Sequence, residues 1–166
     1  MRKFVIVDDV FTLDVLIKLQ YDLDKKSLPL SFYKRDDENK FKIYVDNLIK
    51  IAKDFYDIEH YIGYELWSHN DTKTNLGFHY DKDELLAKKE NKYSFPILSV
   101  VFYPKIVNLH GGRLYLGKDL IINPIQNRLV LFSEGVYHGT SNYNKDGTRI
   151  SFLINLWDKI PKAYIK

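Results

Sequence analysis

The chain has 166 residues, of which 45% are hydrophobic and 28% charged, values typical of a soluble domain with its own hydrophobic core. Its formal net charge of +3 is too small to indicate a nucleic-acid partner, which requires clustered lysine and arginine. The sequence contains no cysteine, which excludes disulfide bonds and thiolate metal sites.

One strand and two helices are predicted in the first third of the chain. Residues 4–7 form a short β-rich run, and apolar residues recur at helical spacing from Leu13 to Leu23. Residues 24–40 are polar and irregular, whereas residues 41–55 have the spacing of an amphipathic helix. We expect both helices to pack on the outside of a sheet.

No segment has the properties of an export signal or a membrane anchor. The apolar run at residues 4–7 ends in two aspartates, and it is too short for a signal peptide. A spanning helix needs about 20 apolar residues, and the sequence has no such stretch. We therefore expect a cytoplasmic protein with no membrane partner.

From residue 61 onward the pattern changes from helical to strand-like. Strands are predicted from their composition and alternation at residues 62–68, 76–80, 97–103, 113–116, 128–133 and 148–157. A short helix is predicted at residues 83–90, because its first turn contains acidic residues and its last turn contains two lysines, as the helix dipole favours. Many short strands with frequent turns favour a mainly β jelly roll with flanking helices.

Two histidines and an aspartate are candidate metal ligands. Residues two apart in an extended chain point to the same side, so His79 and Asp81 can reach one ion. His138 lies far downstream on another β-rich segment. Two imidazoles and one carboxylate form the facial ligand set of non-heme Fe(II) oxygenases. Zinc hydrolases also use such ligands, but the helical His-Glu-x-x-His pattern that many of them carry is missing here.

Arg149 is a candidate binding site for an anion. It follows His138 on the next predicted strand, and its neighbours are mostly apolar. A guanidinium group is permanently charged and binds a carboxylate through two parallel hydrogen bonds. This environment favours a partly buried anionic cosubstrate over a surface ion pair.

These four residues resemble the motif of the Fe(II)/2-oxoglutarate-dependent dioxygenases, particularly the prolyl-hydroxylase-like branch. The resemblance covers about residues 60–157 and implies a double-stranded β-helix (jelly-roll) core. It implies that His79, Asp81 and His138 ligate Fe(II) and that Arg149 binds the distal carboxylate of 2-oxoglutarate. It further implies that O2 is consumed, that an aliphatic carbon is hydroxylated, and that succinate and CO2 are released, with ascorbate as a candidate reductant.

The same resemblance implies further contacts. Ser151, on the strand face of the arginine, and Tyr103 would donate hydrogen bonds to the cosubstrate, and Ser99 is a weaker candidate for the same role. Arg113, which follows a Gly-Gly pair, and Trp67 are candidate substrate contacts.

The expected organisation is a single oxygenase domain. Residues 1–60 would supply the N-terminal strand and supporting helices, residues 61–157 the jelly-roll catalytic core, and residues 158–166 a C-terminal tail. Residues 82–93, as part of a lid, and residues 24–40 are the segments expected to face the substrate.

Several substrate classes remain open. The layout favours hydroxylation of an amino-acid side chain, peptidyl or free, although His69 replaces a tyrosine that many prolyl hydroxylases have near this position. Another small molecule is the second reading. A modified nucleobase is the third, and it is disfavoured because Asn155 stands where the alkylation-repair branch has a second arginine. Asp81 disfavours halogenation, and a non-catalytic metal-binding jelly-roll module would not need all four motif residues. His60 and His110 are expected to be surface or structural histidines.

Overall fold

The computed structural model describes residues 3–70, 77–144 and 146–165. The helices are α1 (Leu13–Leu23), α2 (Lys42–Lys53) and α3 (Glu84–Glu90), followed by a 3-10 helix at Lys162–Tyr164. The strands are β1 (Phe4–Val7), β2 (Ser31–Lys34), β3 (Gly63–His69), β4 (Leu98–Val107), β5 (Leu114–Leu116), β6 (Leu120–Ile122), β7 (Arg128–Ser133), β8 (His138–Thr140) and β9 (Thr148–Trp157).

The described strands form two antiparallel sheets. The large sheet has the order β1-β7-β4-β9-β3-β2, and the small sheet has the order β6-β5-β8. Non-consecutive strands are neighbours in both sheets, as in a jelly roll. The predicted fold class, a mainly β jelly roll with flanking helices, is therefore confirmed.

Alternation along each strand divides the hydrophobic core into two layers. On one face of the large sheet, residues such as Phe102 and Phe152 pack with Leu19 of α1 and Leu48 of α2. On the other face, Val101 and its neighbours pack with residues of the small sheet. The helices thus lie outside the large sheet, as predicted, and the space between the two sheets is left for a site.

Most of the predicted helices and strands are confirmed. The bounds of β1, α1, β7 and β9 agree with the prediction, and α2, α3 and β3 differ from it by one or two residues at their ends. The predicted strand at 97–103 is β4, which continues to Val107 past an irregularity between Phe102 and Lys105. In the described part of the chain, no helix has the length and apolar character needed to cross a membrane.

The structure departs from the prediction or adds to it in four places. The stretch at 24–40 contains β2, an edge strand that pairs with β3. Strands β6 and β8 were not predicted, because three residues are too few to show alternation. The predicted strand at 76–80 begins at Leu76, outside the described residues, and from residue 77 to 80 it contains only an isolated bridge. Finally, the expected C-terminal tail includes a 3-10 helix.

That isolated bridge positions the candidate ligands. The His79 amide donates to the His138 carbonyl at 2.8 Å, and the His138 amide donates to the His79 carbonyl at 2.9 Å. His138 is also the first residue of β8, at the edge of the small sheet. The two histidines are therefore held opposite each other by the backbone.

Candidate active site

The side chains of His79, Asp81 and His138 converge at one edge of the small sheet. One potential ligand atom from each lies within 4.8 Å of the others. Nε2 of His79 is 3.6 Å from Oδ1 of Asp81, and Nε2 of His138 is 3.6 Å from Oδ2. An ion with bonds of about 2.1 Å at right angles separates its ligand atoms by about 3 Å. Only small side-chain movements are therefore needed for the three groups to hold one metal ion.

Each imidazole ring is oriented by a nearby carbonyl group. Nδ1 of His79 lies 2.7 Å from the Gly77 carbonyl oxygen, and Nδ1 of His138 lies 2.9 Å from that of Val136. Because a carbonyl oxygen only accepts hydrogen bonds, Nδ1 carries the proton in the neutral ring. Nε2 then presents its lone pair toward Asp81, which is the arrangement of a metal-ligating histidine.

Asp81 is oriented by two side chains of the large sheet. The Ser99 hydroxyl donates to Oδ2 of Asp81 at 3.0 Å. Asn155 lies opposite Ser99 on β9, and its amide nitrogen can donate to the same Oδ2 at 3.2 Å and to Ser99 Oγ at 2.9 Å. Sequence analysis did not predict this role for Asn155. Its alternation with Arg149 and Ser151 on β9 was the available signal.

The pKa values of the three candidate ligands shift in different directions. The Asp81 carboxylate raises the pKa of His79, whereas burial lowers the pKa of His138. Burial alone would raise the pKa of Asp81. The contacts with His79, His138 and Ser99 outweigh this effect and hold it below its usual range. At neutral pH Asp81 is thus ionised and His138 is neutral, which are the forms that bind metals.

Arg149 is a buried cation with unused hydrogen-bonding capacity. Only 3% of its surface is exposed, and its Nη1 donates to the Gly112 carbonyl at 2.8 Å. Its Nε is buried without a hydrogen-bond partner. No carboxylate of the described residues forms an ion pair with this guanidinium. The guanidinium carbon lies 4.8 Å from the ring centroid of Tyr143. A buried charge in this state is suited to bind an anion.

A narrow cavity of about 40 Å³ connects the three candidate ligands with Arg149. Tyr103 and Ser151 line it, so these two predicted cosubstrate contacts lie beside the arginine. Burial raises the pKa of Tyr103 to about 12, so its hydroxyl remains protonated and can donate a hydrogen bond. Ser99 also lines this cavity, although its hydroxyl is directed at Asp81.

His79 and Asp81 also line a wider cavity of about 660 Å³. Residues 26–30 and 82–85 line it, so parts of both predicted substrate-facing segments border the site. Trp67 lines both cavities, and its Nε1 donates to Nε2 of His69 at 3.3 Å.

The remaining predicted residues lie away from both cavities. Arg113 is exposed and lines neither one, so its position gives no support to a role in substrate binding. His60 and His110 are exposed and separate from the candidate ligands, as expected for surface histidines.

Several solved structures share this fold. It superimposes on a prolyl-4-hydroxylase from Pseudomonas putida with a TM-score of 0.68 and 12% sequence identity, covering 96% of this chain and 95% of that one. The viral collagen prolyl hydroxylase from Paramecium bursaria Chlorella virus-1 gives a TM-score of 0.60 and 14% identity, covering 94% and 97% of the two chains. An oxidoreductase of the 2OG-Fe(II) oxygenase family from Burkholderia pseudomallei gives a TM-score of 0.63 and 12% identity, covering 96% and 87%.

These similarities show that the chain has the fold of the 2-oxoglutarate oxygenases. They confirm the resemblance to the prolyl-hydroxylase-like branch at the level of the fold. No protein-family model and no curated protein matches the sequence.

Proposed function

We propose that this protein is an Fe(II)/2-oxoglutarate-dependent dioxygenase that hydroxylates an aliphatic carbon of an amino-acid side chain. The observation that carries the proposal is that two features line the same narrow cavity. One is the His79, Asp81 and His138 cluster, and the other is buried Arg149 with its unpartnered Nε. A metal site alone does not need a buried cation, whereas a metal with an anionic cosubstrate does.

Different side chains would bind the metal and the cosubstrate. His79, Asp81 and His138 would ligate Fe(II), and Ser99 and Asn155 would hold the Asp81 carboxylate in place. When bound, the metal and the cosubstrate would supply the oxidising chemistry, in which the substrate, O2 and 2-oxoglutarate are converted to the hydroxylated substrate, succinate and CO2.

The cosubstrate end of the cavity would be formed by Arg149, Tyr103 and Ser151. A fixed guanidinium and two hydroxyl donors match a carboxylate, which accepts several hydrogen bonds at once. All three side chains are buried, so each charge-assisted hydrogen bond is strengthened by the low local dielectric constant.

Exposed aromatic side chains beside the metal site favour a peptidyl substrate over a free amino acid. The ring of Tyr137 lies 5.4 Å from that of Phe78 and 4.8 Å from that of Tyr80, and all three residues are exposed. They immediately flank the candidate ligands His79 and His138 in sequence. Exposed aromatic surfaces commonly bind extended peptides, so the chain on either side of the oxidised residue would rest here.

The test begins with anaerobic Fe(II) titration. The wild-type protein should bind one Fe(II), His79→Ala should abolish this binding, and the exposed-histidine control His110→Ala should retain it. Unchanged iron affinity in His79→Ala would refute the metal assignment. Succinate formation would then be screened with peptides, free amino acids and methylated oligonucleotides. Turnover only with oligonucleotides, or with none of the three classes, would refute the proposed reaction.

A further inference from the structure

A second carboxylate, Glu65 on β3, lines the wide cavity next to the candidate metal site. Its Oε2 accepts a hydrogen bond from Trp157 Nε1 at 3.0 Å, and its Oε1 accepts one from the Tyr164 hydroxyl at 3.0 Å. Both donors are neutral, and no lysine, arginine or histidine of the described residues forms an ion pair with Glu65. The half-buried carboxylate therefore has fixed geometry and an uncompensated charge.

The other charged side chains around this cavity already have partners or are exposed. Lys82 lies 3.4 Å from Glu84, and Lys26 is exposed at the rim. The carboxylate of Asp83 caps α3 and also accepts a hydrogen bond from the Lys162 amide at 2.6 Å. Glu65 is thus the acidic group of this wall that is free to meet a cation from a ligand.

Glu65 is also close to the candidate metal centre. It lies directly opposite Asn155 in the pairing of β3 with β9, and the Asn155 amide reaches Oδ2 of Asp81 at 3.2 Å. Residues directly opposite each other in a sheet have their Cβ atoms about 5 Å apart. A group bound to Glu65 would therefore lie within one side-chain length of the metal.

We propose that Glu65 determines substrate specificity by binding an ammonium or guanidinium group, so that an aliphatic carbon of a lysine- or arginine-like side chain lies at the metal centre. This inference rests on the proposed oxygenase function and names its substrate class. Burial raises the pKa of Glu65, while hydrogen bonds from Trp157 and Tyr164 act in the opposite direction. A bound cation would compensate the charge that burial disfavours.

Binding can be measured without turnover, because one tryptophan of the chain lines this cavity and the other contacts Glu65. Trp67 lines the cavity, and Trp157 donates to Glu65. The fluorescence of the Mn(II)- and 2-oxoglutarate-loaded full chain would be titrated with the N-acetyl methylamides of lysine, arginine and norleucine. Norleucine has the lysine side chain without its ammonium group. A lost charge-assisted hydrogen bond weakens binding by roughly tenfold or more, so lysine or arginine should bind at least that much more tightly than norleucine.

Two variants separate specificity from general damage. Glu65→Gln keeps the shape of the side chain and should remove the preference for the cationic compound, whereas Glu84→Gln, on the same wall, should retain it. Equal binding of norleucine by the wild-type protein, or a preference that survives in Glu65→Gln, would overturn the inference. The wild-type comparison stands alone if Glu65→Gln fails to fold.

The two proposals fail in different ways. A wild-type protein that binds Fe(II) and 2-oxoglutarate normally but shows no preference for the cationic compounds would overturn only the role of Glu65. Conversely, the wild-type protein could prefer the cationic compounds while His79→Ala leaves the iron affinity unchanged. That result would refute the oxygenase function but would support the cation site at Glu65.

Discussion

Replacing Arg149 with methionine should separate cosubstrate binding from stability. Methionine resembles the arginine side chain in length and fills much of the same space, but it has no hydrogen-bond donors. In the metal-free protein, the substitution removes the buried Nε, which has no partner, and the Nη1 hydrogen bond to Gly112. The two changes affect the folded state in opposite directions.

The expected change in stability is small. A buried donor without a partner costs about 1–3 kcal/mol, and a hydrogen bond to a charged group contributes about 1.5–3 kcal/mol. These terms largely cancel, so the free energy of unfolding should change by no more than about 2 kcal/mol. Removing one partner of a structural buried ion pair would instead cost about 3–5 kcal/mol.

The effect on the cosubstrate should be much larger. If the guanidinium binds the distal carboxylate of 2-oxoglutarate through two hydrogen bonds, their loss should cost about 3 kcal/mol or more. This energy corresponds to roughly a hundredfold increase in Kd. Calorimetric titration of the Mn(II)-loaded protein with 2-oxoglutarate would measure the affinity, and urea denaturation of the metal-free protein would measure the stability.

Arg128→Met is the matched control. Arg128 lies on the same sheet, but its guanidinium is engaged by Asp8 at 2.6 Å, so its loss should leave the affinity for 2-oxoglutarate unchanged. Unaltered 2-oxoglutarate affinity in Arg149→Met would refute the anion-binding role of Arg149. A loss of stability above about 3 kcal/mol would show that Arg149 is instead a structural arginine.

Two further predictions concern the support of the site and its protons. Gly112→Ala should weaken 2-oxoglutarate binding by roughly tenfold, because the added Cβ would lie 3.2 Å from Nη1 of Arg149. The control is Gly117→Ala, at a similar positive φ, where the added Cβ would have no atom within 4 Å. It should leave the 2-oxoglutarate affinity unchanged and cost only about 1 kcal/mol of stability. Equal 2-oxoglutarate affinities of the two variants by calorimetry would contradict this reasoning. Mn(II) affinity should fall as the pH decreases from about 8 to 6, because Asp81 raises the pKa of His79 above its ordinary value of about 6.5 and the proton must leave before the metal binds. Calorimetry in two buffers should show proton release that grows with falling pH, and no release at pH 6 would contradict the prediction.

Sequence periodicity predicted several of the longer elements. Helix α1 and strand β9 show their periods over ten or more residues, and the structure gives them the predicted bounds. Strand β8 has only three residues, and β2 is a partly exposed edge strand without a clear apolar face. Their positions depend on pairing with distant strands, which local periodicity does not contain.

The sequence likewise indicated some residues of the candidate site and not others. The candidate ligands and Arg149 could be found because a few residue types at fixed spacing have a specific chemistry. The contact of Asn155 with Asp81 depends on the register between β9 and β4. The contact between Glu65 and Tyr164 joins residues 99 positions apart in the chain. Neither contact follows from local sequence.

The paired backbone hydrogen bonds between His79 and His138 bear on how a metal ion would exchange at this site. Because β-sheet hydrogen bonds hold the two histidines, and Ser99 holds Asp81, the ligands are assembled before an ion arrives. Binding of an ion would then require little ordering of the chain, and its loss should not unfold the protein. A bound ion would therefore exchange without unfolding of the protein, so that an oxidised or incorrect ion could be replaced without new protein synthesis.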